Sequence, residues 1–140
     1  MPLDYRDAAQ RHYEDAEYLL ADARLANADH LFGFSAECAL KAVMLSLGMQ
    51  FKQNKIPVEE KYRVHINNLW DEFRDFANNR NGAHYVSMLP GGSNPFATWD
   101  VSQRYDHRSD IIETIVGNHR QAAKIVKQVL DSAVSNGGVI

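Results

Sequence analysis

Arg104, His107 and Arg108 lie close together late in the chain, and His119 and Arg120 follow further on. These residue types suit phosphate chemistry. A guanidinium is a planar fork of donors that matches phosphate oxygens, and imidazole gains and loses a proton near neutral pH. A helix starting just after Arg108 would add free backbone N–H groups and the positive end of its dipole. Arg104, Arg108, Arg120 and His119 are therefore candidate ligand-binding residues. Arg104, His107 and His119 are candidate catalytic ones, with a histidine as acid or base. The competing reading is ordinary surface charge, because Asp100, Asp106 and Asp110 are interleaved as partners and exposed ion pairs are weak.

Glu37 and Lys41 form a second candidate ligand-binding set. They are four residues apart, in the favourable order for an ion pair on one helix face. With His12, His65 and His119 they fall on otherwise apolar stripes. Buried charge is costly unless paired, so the favoured reading is a satisfied polar network that fixes helix register. The alternative is a ligand pocket. Trp70, Phe73, Phe76, Phe96, Trp99 and Tyr105 read as core and loop anchors rather than a base-stacking platform. The six histidines include no pair at helical spacing, so no metal site is expected. Gly91-Gly92 lacks the lysine and hydroxyl residue of a phosphate-cradling loop, and no cofactor is implied.

Periodicity supplies the elements that must hold these residues. Apolar positions at steps of three and four predict a helix from Tyr5 to Arg24, capped by Asp4. Leu25-Ala26-Asn27 reads as a tight reversal into a second helix, Ala28 to Leu47, apolar over most of its girth and so central. Cys38, in its middle, is expected to be buried and inert. A third helix spans His65 to Ala77, and Ala83 to Leu89 reads as a short helix or turn. The longest helix is expected from Asp110 to Val134, capped by Ser109 or Asp110, with Glu113 closing a capping box. Gly117 inside it marks a close helix contact or a bend. Phe96 to Asp106 is a connecting segment pinned by its aromatics. The expectation is an all-α, up-and-down four-helix bundle with short extra helices over residues 1–134, and a flexible tail over 135–140.

The composition agrees with one such domain. A chain of 140 residues, 45% hydrophobic, buries roughly 68% of its unfolded surface. One cysteine excludes a disulfide framework and a multi-thiolate zinc site. No apolar run approaches the ~20 residues of a membrane span. The opening Met1-Pro2-Leu3-Asp4-Tyr5-Arg6 does not run from basic to apolar, so a cytoplasmic protein is expected. The net charge of −3 excludes non-specific coating of nucleic acid. Its distribution leaves room for a local anion site. Residues 1–48 hold four basic and eight acidic residues, whereas residues 96–140 hold five of each.

The order of motifs resembles the HEPN family. His12-Tyr13-Glu14-Asp15-Ala16-Glu17-Tyr18-Leu19-Leu20 is similar to the first helix of that domain. Phe34-Ser35-Ala36-Glu37-Cys38-Ala39-Leu40-Lys41-Ala42 is similar to its second. His65 with Leu69 is similar to the opening of its third helix. Trp99-Asp100-Val101-Ser102-Gln103-Arg104-Tyr105 is similar to a W-x-V-x-x-R-Y segment of one bacterial branch. The resemblance runs from about Leu3 to Ser132. It implies a helical bundle, related to the substrate-binding bundles of nucleotidyltransferases, that forms homodimers. It also implies a partner nucleotidyltransferase, often as a toxin–antitoxin pair, and a nucleotide or RNA ligand.

Many members are RNases with an arginine and a histidine separated by about four to six intervening residues near the start of a late helix. Here Arg104 and His107 have two residues between them and Arg80 and His84 have three. Arg6 and His12 have five, but in the first helix. The leading expectation is therefore a non-enzymatic HEPN-like module that binds nucleotide, RNA or a nucleotidyltransferase. The alternatives are a divergent metal-independent RNase acting as a dimer, and a structural oligomerisation bundle without a ligand.

Overall fold

The computed structural model describes residues 3–137. Helix α1 spans Tyr5–Ala21, α2 Leu25–Ser46, α3 Ile66–Asn78, α4 Ala83–Met88 and α5 Glu113–Ser135. The described residues contain no β-strand beyond an isolated bridge between Phe51 and Pro57, so the fold is an all-α helical bundle. No described helix is long and apolar enough to cross a membrane.

Helix α2 is the axis. Phe32, Ala36, Ala39, Leu40 and Val43 are buried in it, and α1, α3 and α5 all pack on it. Small residues set the closest approach: Ala9 and Ala16 are the buried positions of α1. There the Ser35 hydroxyl of α2 donates to the Ala9 carbonyl at 2.8 Å. Asp4 starts α1 by accepting the Asp7 N–H at 2.9 Å, as its position predicts. The aromatic face of α3 buries Leu69, Trp70, Phe73 and Phe76. Cys38 is only half-buried, because the α2 stripe of Phe32, Ala36 and Val43 takes the innermost place.

Several boundaries differ from the periodicity reading. The α1–α2 reversal is Asp22-Ala23-Arg24, where Ala23 takes the left-handed conformation at φ 59°, and Leu25–Asn27 is the first turn of α2. Helix α5 starts at Glu113, with Ile112 at its N-cap and no side-chain cap. Ser109 and Asp110 belong instead to a separate 3-10 turn, Arg108–Asp110. The capping box forms at Asp100 and Gln103, opening the 3-10 turn Val101–Tyr105. A Cβ on Gly117 would meet nothing within 4 Å, so no close helix contact exists there. The close contact is at Gly33, where any Cβ would overlap the Trp99 indole. Of the expected tail, Ser135 closes α5 and residues 138–140 lie outside the described residues.

The segment from about residue 94 to 112 is a strap without α-helix that crosses the bundle. Phe96 and Trp99 anchor it, both fully buried, while Tyr105 points outward. Burying two aromatics compensates the ordering of a segment with few backbone ladders of its own. The strap carries Arg104, His107 and Arg108.

Candidate functional site

The strap meets α2 and α5 at one carboxylate. Asp29, in the second turn of α2, is 2% exposed, and so is His119 of α5. His119 Nδ1 lies 2.7 Å from Asp29 Oδ1, and Gln103 Nε2 donates to Asp29 Oδ2 at 2.8 Å. The Trp99 indole N–H donates to the Asp29 carbonyl at 3.1 Å. Both carboxylate oxygens are thereby satisfied, which makes burial of the charge tolerable. Phe96 stacks on the His119 ring at 5.1 Å. His119 thus sits in a closed polar network and on the wall of a cavity of about 160 Å³ shared with Asp100, Asp106 and Asp110.

On the other side of Gln103 lies an open cleft of about 570 Å³. Its walls are the α1–α2 reversal, the first turn of α2, and strap residues Gln103, Arg104, Asp106 and Arg108. Arg24 forms a long, exposed pair with Asp22 at 3.5 Å. Arg104 and Arg108 make no ion pair among the described residues. The Arg104 guanidinium lies over the Tyr105 ring at 4.9 Å. Arg24, the N-cap of α2, gives no side-chain cap, so the first-turn N–H groups beside the cleft lack a side-chain acceptor.

The Glu37 set forms a third cluster. Lys41 Nζ lies 3.2 Å from Glu37 Oε2, and His65 Nδ1 lies 2.9 Å from Glu37 Oε1. Glu37 and Lys41 are buried, and the His65 ring is half-exposed. His65 is the N-cap of α3, yet its ring turns to Glu37 instead of capping. The rings of His12, His30 and His65 surround Phe34 at 5.9, 4.6 and 5.9 Å. Burial, then the charge of Arg104, holds His30 below the ordinary histidine value, and its Nδ1 is buried without a partner. Burial, then Arg11, lowers His12 likewise.

The structure brings Arg104 and Arg108 together and separates the other candidates. Arg120 is engaged elsewhere: its Nε and a terminal nitrogen donate to the two oxygens of Glu17 at 2.6 and 3.1 Å, tying α5 to α1. His107 is exposed, and its Nδ1 accepts the Ser109 N–H at 3.1 Å. His119 lies in the other cavity, across Gln103 from the cleft. No group of three or more metal-ligating side chains converges among the described residues. Sequence reasoning missed Asp29, His30 and Gln103. The signal available for Asp29 was its place on the same helical face as Phe32 and Ala36.

No protein-family model, curated protein or solved structure matches the chain.

Proposed function

We propose that this chain is a HEPN-like helical module that binds a phosphate-bearing ligand, a nucleotide or RNA, in the arginine-lined cleft. The observation that carries this reading is the pair Arg104 and Arg108, without an ion pair among the described residues, lining the same 570 Å³ cleft as Arg24, with Asp22 and Asp106 also in its lining. That volume falls within the usual range for small-molecule sites. Unpaired guanidinium groups give bidentate, charge-assisted bonds to phosphate without first giving up a strong partner. The first turn of α2 contributes weaker donors to the same space. A second copy of the chain and a small nucleotidyltransferase, as in a toxin–antitoxin pair, are the protein partners that the resemblance implies.

The test is titration of the full chain with ATP and with a short fluorescent RNA, at low and moderate salt. Arg104→Ala and Arg108→Ala should each weaken binding by about tenfold or more, the worth of one charge-assisted hydrogen bond. Binding unchanged in both variants sinks the proposal. A wild-type chain that binds neither probe favours the structural bundle instead.

Phosphodiester cleavage is the second reading, and His30 is the observation that favours it. Burial, then the charge of Arg104, holds His30 below the ordinary histidine value, which favours the proton-accepting form that a general base needs. His107 has its Nδ1 lone pair occupied and His119 is enclosed, so His30 replaces them as the histidine to test. RNA cleavage lost in both His30→Ala and Arg104→Ala supports this reading. Absence of cleavage in the wild type removes it.

A further inference from the structure

The arginine cleft and the smaller acidic cavity share a wall, since Gln103 and Asp106 line both. Gln103 is the only one of the two fixed to the helical bundle by a side-chain bond, and that bond ends on Asp29. The other Gln103 carboxamide atom, Oε1, accepts the Asp100 N–H at 3.2 Å and closes the capping box of the turn that carries Arg104. Trp99, immediately before this turn, also ends on Asp29. Two of the strap's buried hydrogen bonds therefore converge on one residue of α2, and His119 of α5 fixes that residue from the far side.

We infer that Asp29 is the positioning residue of the arginine cleft: acting through Gln103, it sets the strap turn and so the placement of Arg104. Nothing in the cleft touches Asp29 itself. Its role follows from acceptor arithmetic. A carboxylate has two acceptor oxygens and here serves two donors, His119 and Gln103. An asparagine at the same place has one acceptor and one donor. With its oxygen on His119, its N–H faces that of Gln103; with its oxygen on Gln103, it fits only when His119 takes the tautomer that accepts at Nδ1. Gln103→Glu creates the opposite conflict, carboxylate against carboxylate. The pair Asp29→Asn with Gln103→Glu restores complementarity. The introduced amide on α2 would donate to one oxygen of the introduced carboxylate on the strap, and the other oxygen would still accept the Asp100 N–H.

This inference rests on the proposed anion cleft for its functional meaning, but its test does not depend on binding. Arg104 and Arg108 are exposed trypsin sites in the strap, and the rate of cutting after them rises as the strap's local opening becomes easier. The folded full chain is digested, and cutting at these two sites is compared with cutting at Lys127 within α5. Gln103→Glu should speed strap cutting by on the order of tenfold while leaving Lys127 protected, and Asp29→Asn by less, because a change of His119 tautomer relieves part of its conflict. The double variant should return strap cutting towards the wild-type rate. If Asp29→Asn does not fold, the comparison of Gln103→Glu with the double variant decides. Equal strap cutting in all chains, or acceleration at every site with no rescue, overturns the inference. A parallel titration with inorganic pyrophosphate should show weaker binding in the singles and recovery in the double. If the wild type binds no pyrophosphate, the cleft reading fails while the cutting pattern still decides the role of Asp29.

Discussion

Asp29 and His119 are 90 positions apart in the chain, yet their side chains meet at 2.7 Å where each is almost fully enclosed. This contact joins the central helix to the last one and fixes the carboxylate that holds the strap. Removing one partner of a buried hydrogen bond leaves the other unsatisfied. His119→Leu should therefore destabilise the fold by about 1–3 kcal/mol, read as a shifted urea midpoint. A shift below about 1 kcal/mol would show that the pair carries little of the fold's stability.

Gly33 is the seat of Trp99. Because any Cβ there overlaps the indole, Gly33→Ala should cost about 1–3 kcal/mol despite the higher helix propensity of alanine. Gly117→Ala makes the opposite prediction. Its surroundings are open, so it should gain up to about 1 kcal/mol. Thermal unfolding of the two variants against the wild type checks both signs.

The Arg120–Glu17 bond predicts an acid dependence. Hydrogen bonding to Arg120 holds the Glu17 carboxyl below its ordinary value of 4.5. A depressed carboxyl contributes stability above that value, and the contribution is lost as pH falls through the folded-state value. The pair is partly solvent-exposed, so its worth is about 0.2–1 kcal/mol. Glu17→Gln should lower stability at pH 7 by this amount and make no difference at pH 2–3, as denaturant titration at both pH values would show.

His12 and His30 act in a higher window. Both lie below the ordinary histidine value of 6.5, so the unfolded chain takes up their protons first as pH falls. Their contribution is full above 6.5 and declines below it, down to their own lowered values. His30→Gln should flatten the loss of stability between pH 7.5 and 5.5 relative to the wild type. An unchanged slope would contradict the placement of His30 against Trp99 and Phe34.

Burial, reinforced by the Glu37 charge, pushes the Cys38 thiol up to about 12. The thiolate is the reactive form, so at pH 8 the folded chain should resist iodoacetamide. Labelling should become rapid only in denaturant. Rapid labelling of the native chain would show that Cys38 is open to solvent.

The cleft was legible in part. Arg104 and Arg108 are neighbours in sequence, so their candidacy needed no tertiary information. Their association with Arg24 did need it, because the cleft forms between the strap and a reversal that the periodicity placed three residues late. The capping reading failed for a related reason. Asp110 and Glu113 have the right spacing for a capping box, but Asp110 lies in a 3-10 turn, and the box forms at Asp100 and Gln103. Local spacing cannot choose between two suitable pairs when the choice depends on where buried Trp99 halts the chain.

The sequence by itself determined the helices and their apolar faces, because 3.6-residue periodicity is a local property of the chain. It also determined the Glu37–Lys41 pair, since a four-residue spacing on one helix leaves little freedom. Only the tertiary structure decided which polar groups meet. Gln103 and His119 reach Asp29 across 74 and 90 residues, and Arg120 reaches Glu17 across 103. Such contacts depend on how whole helices pack and on one glycine that admits an indole. That packing turned His119 from a candidate acid–base into part of the network that holds the strap, and left Arg104 and Arg108 facing the cleft.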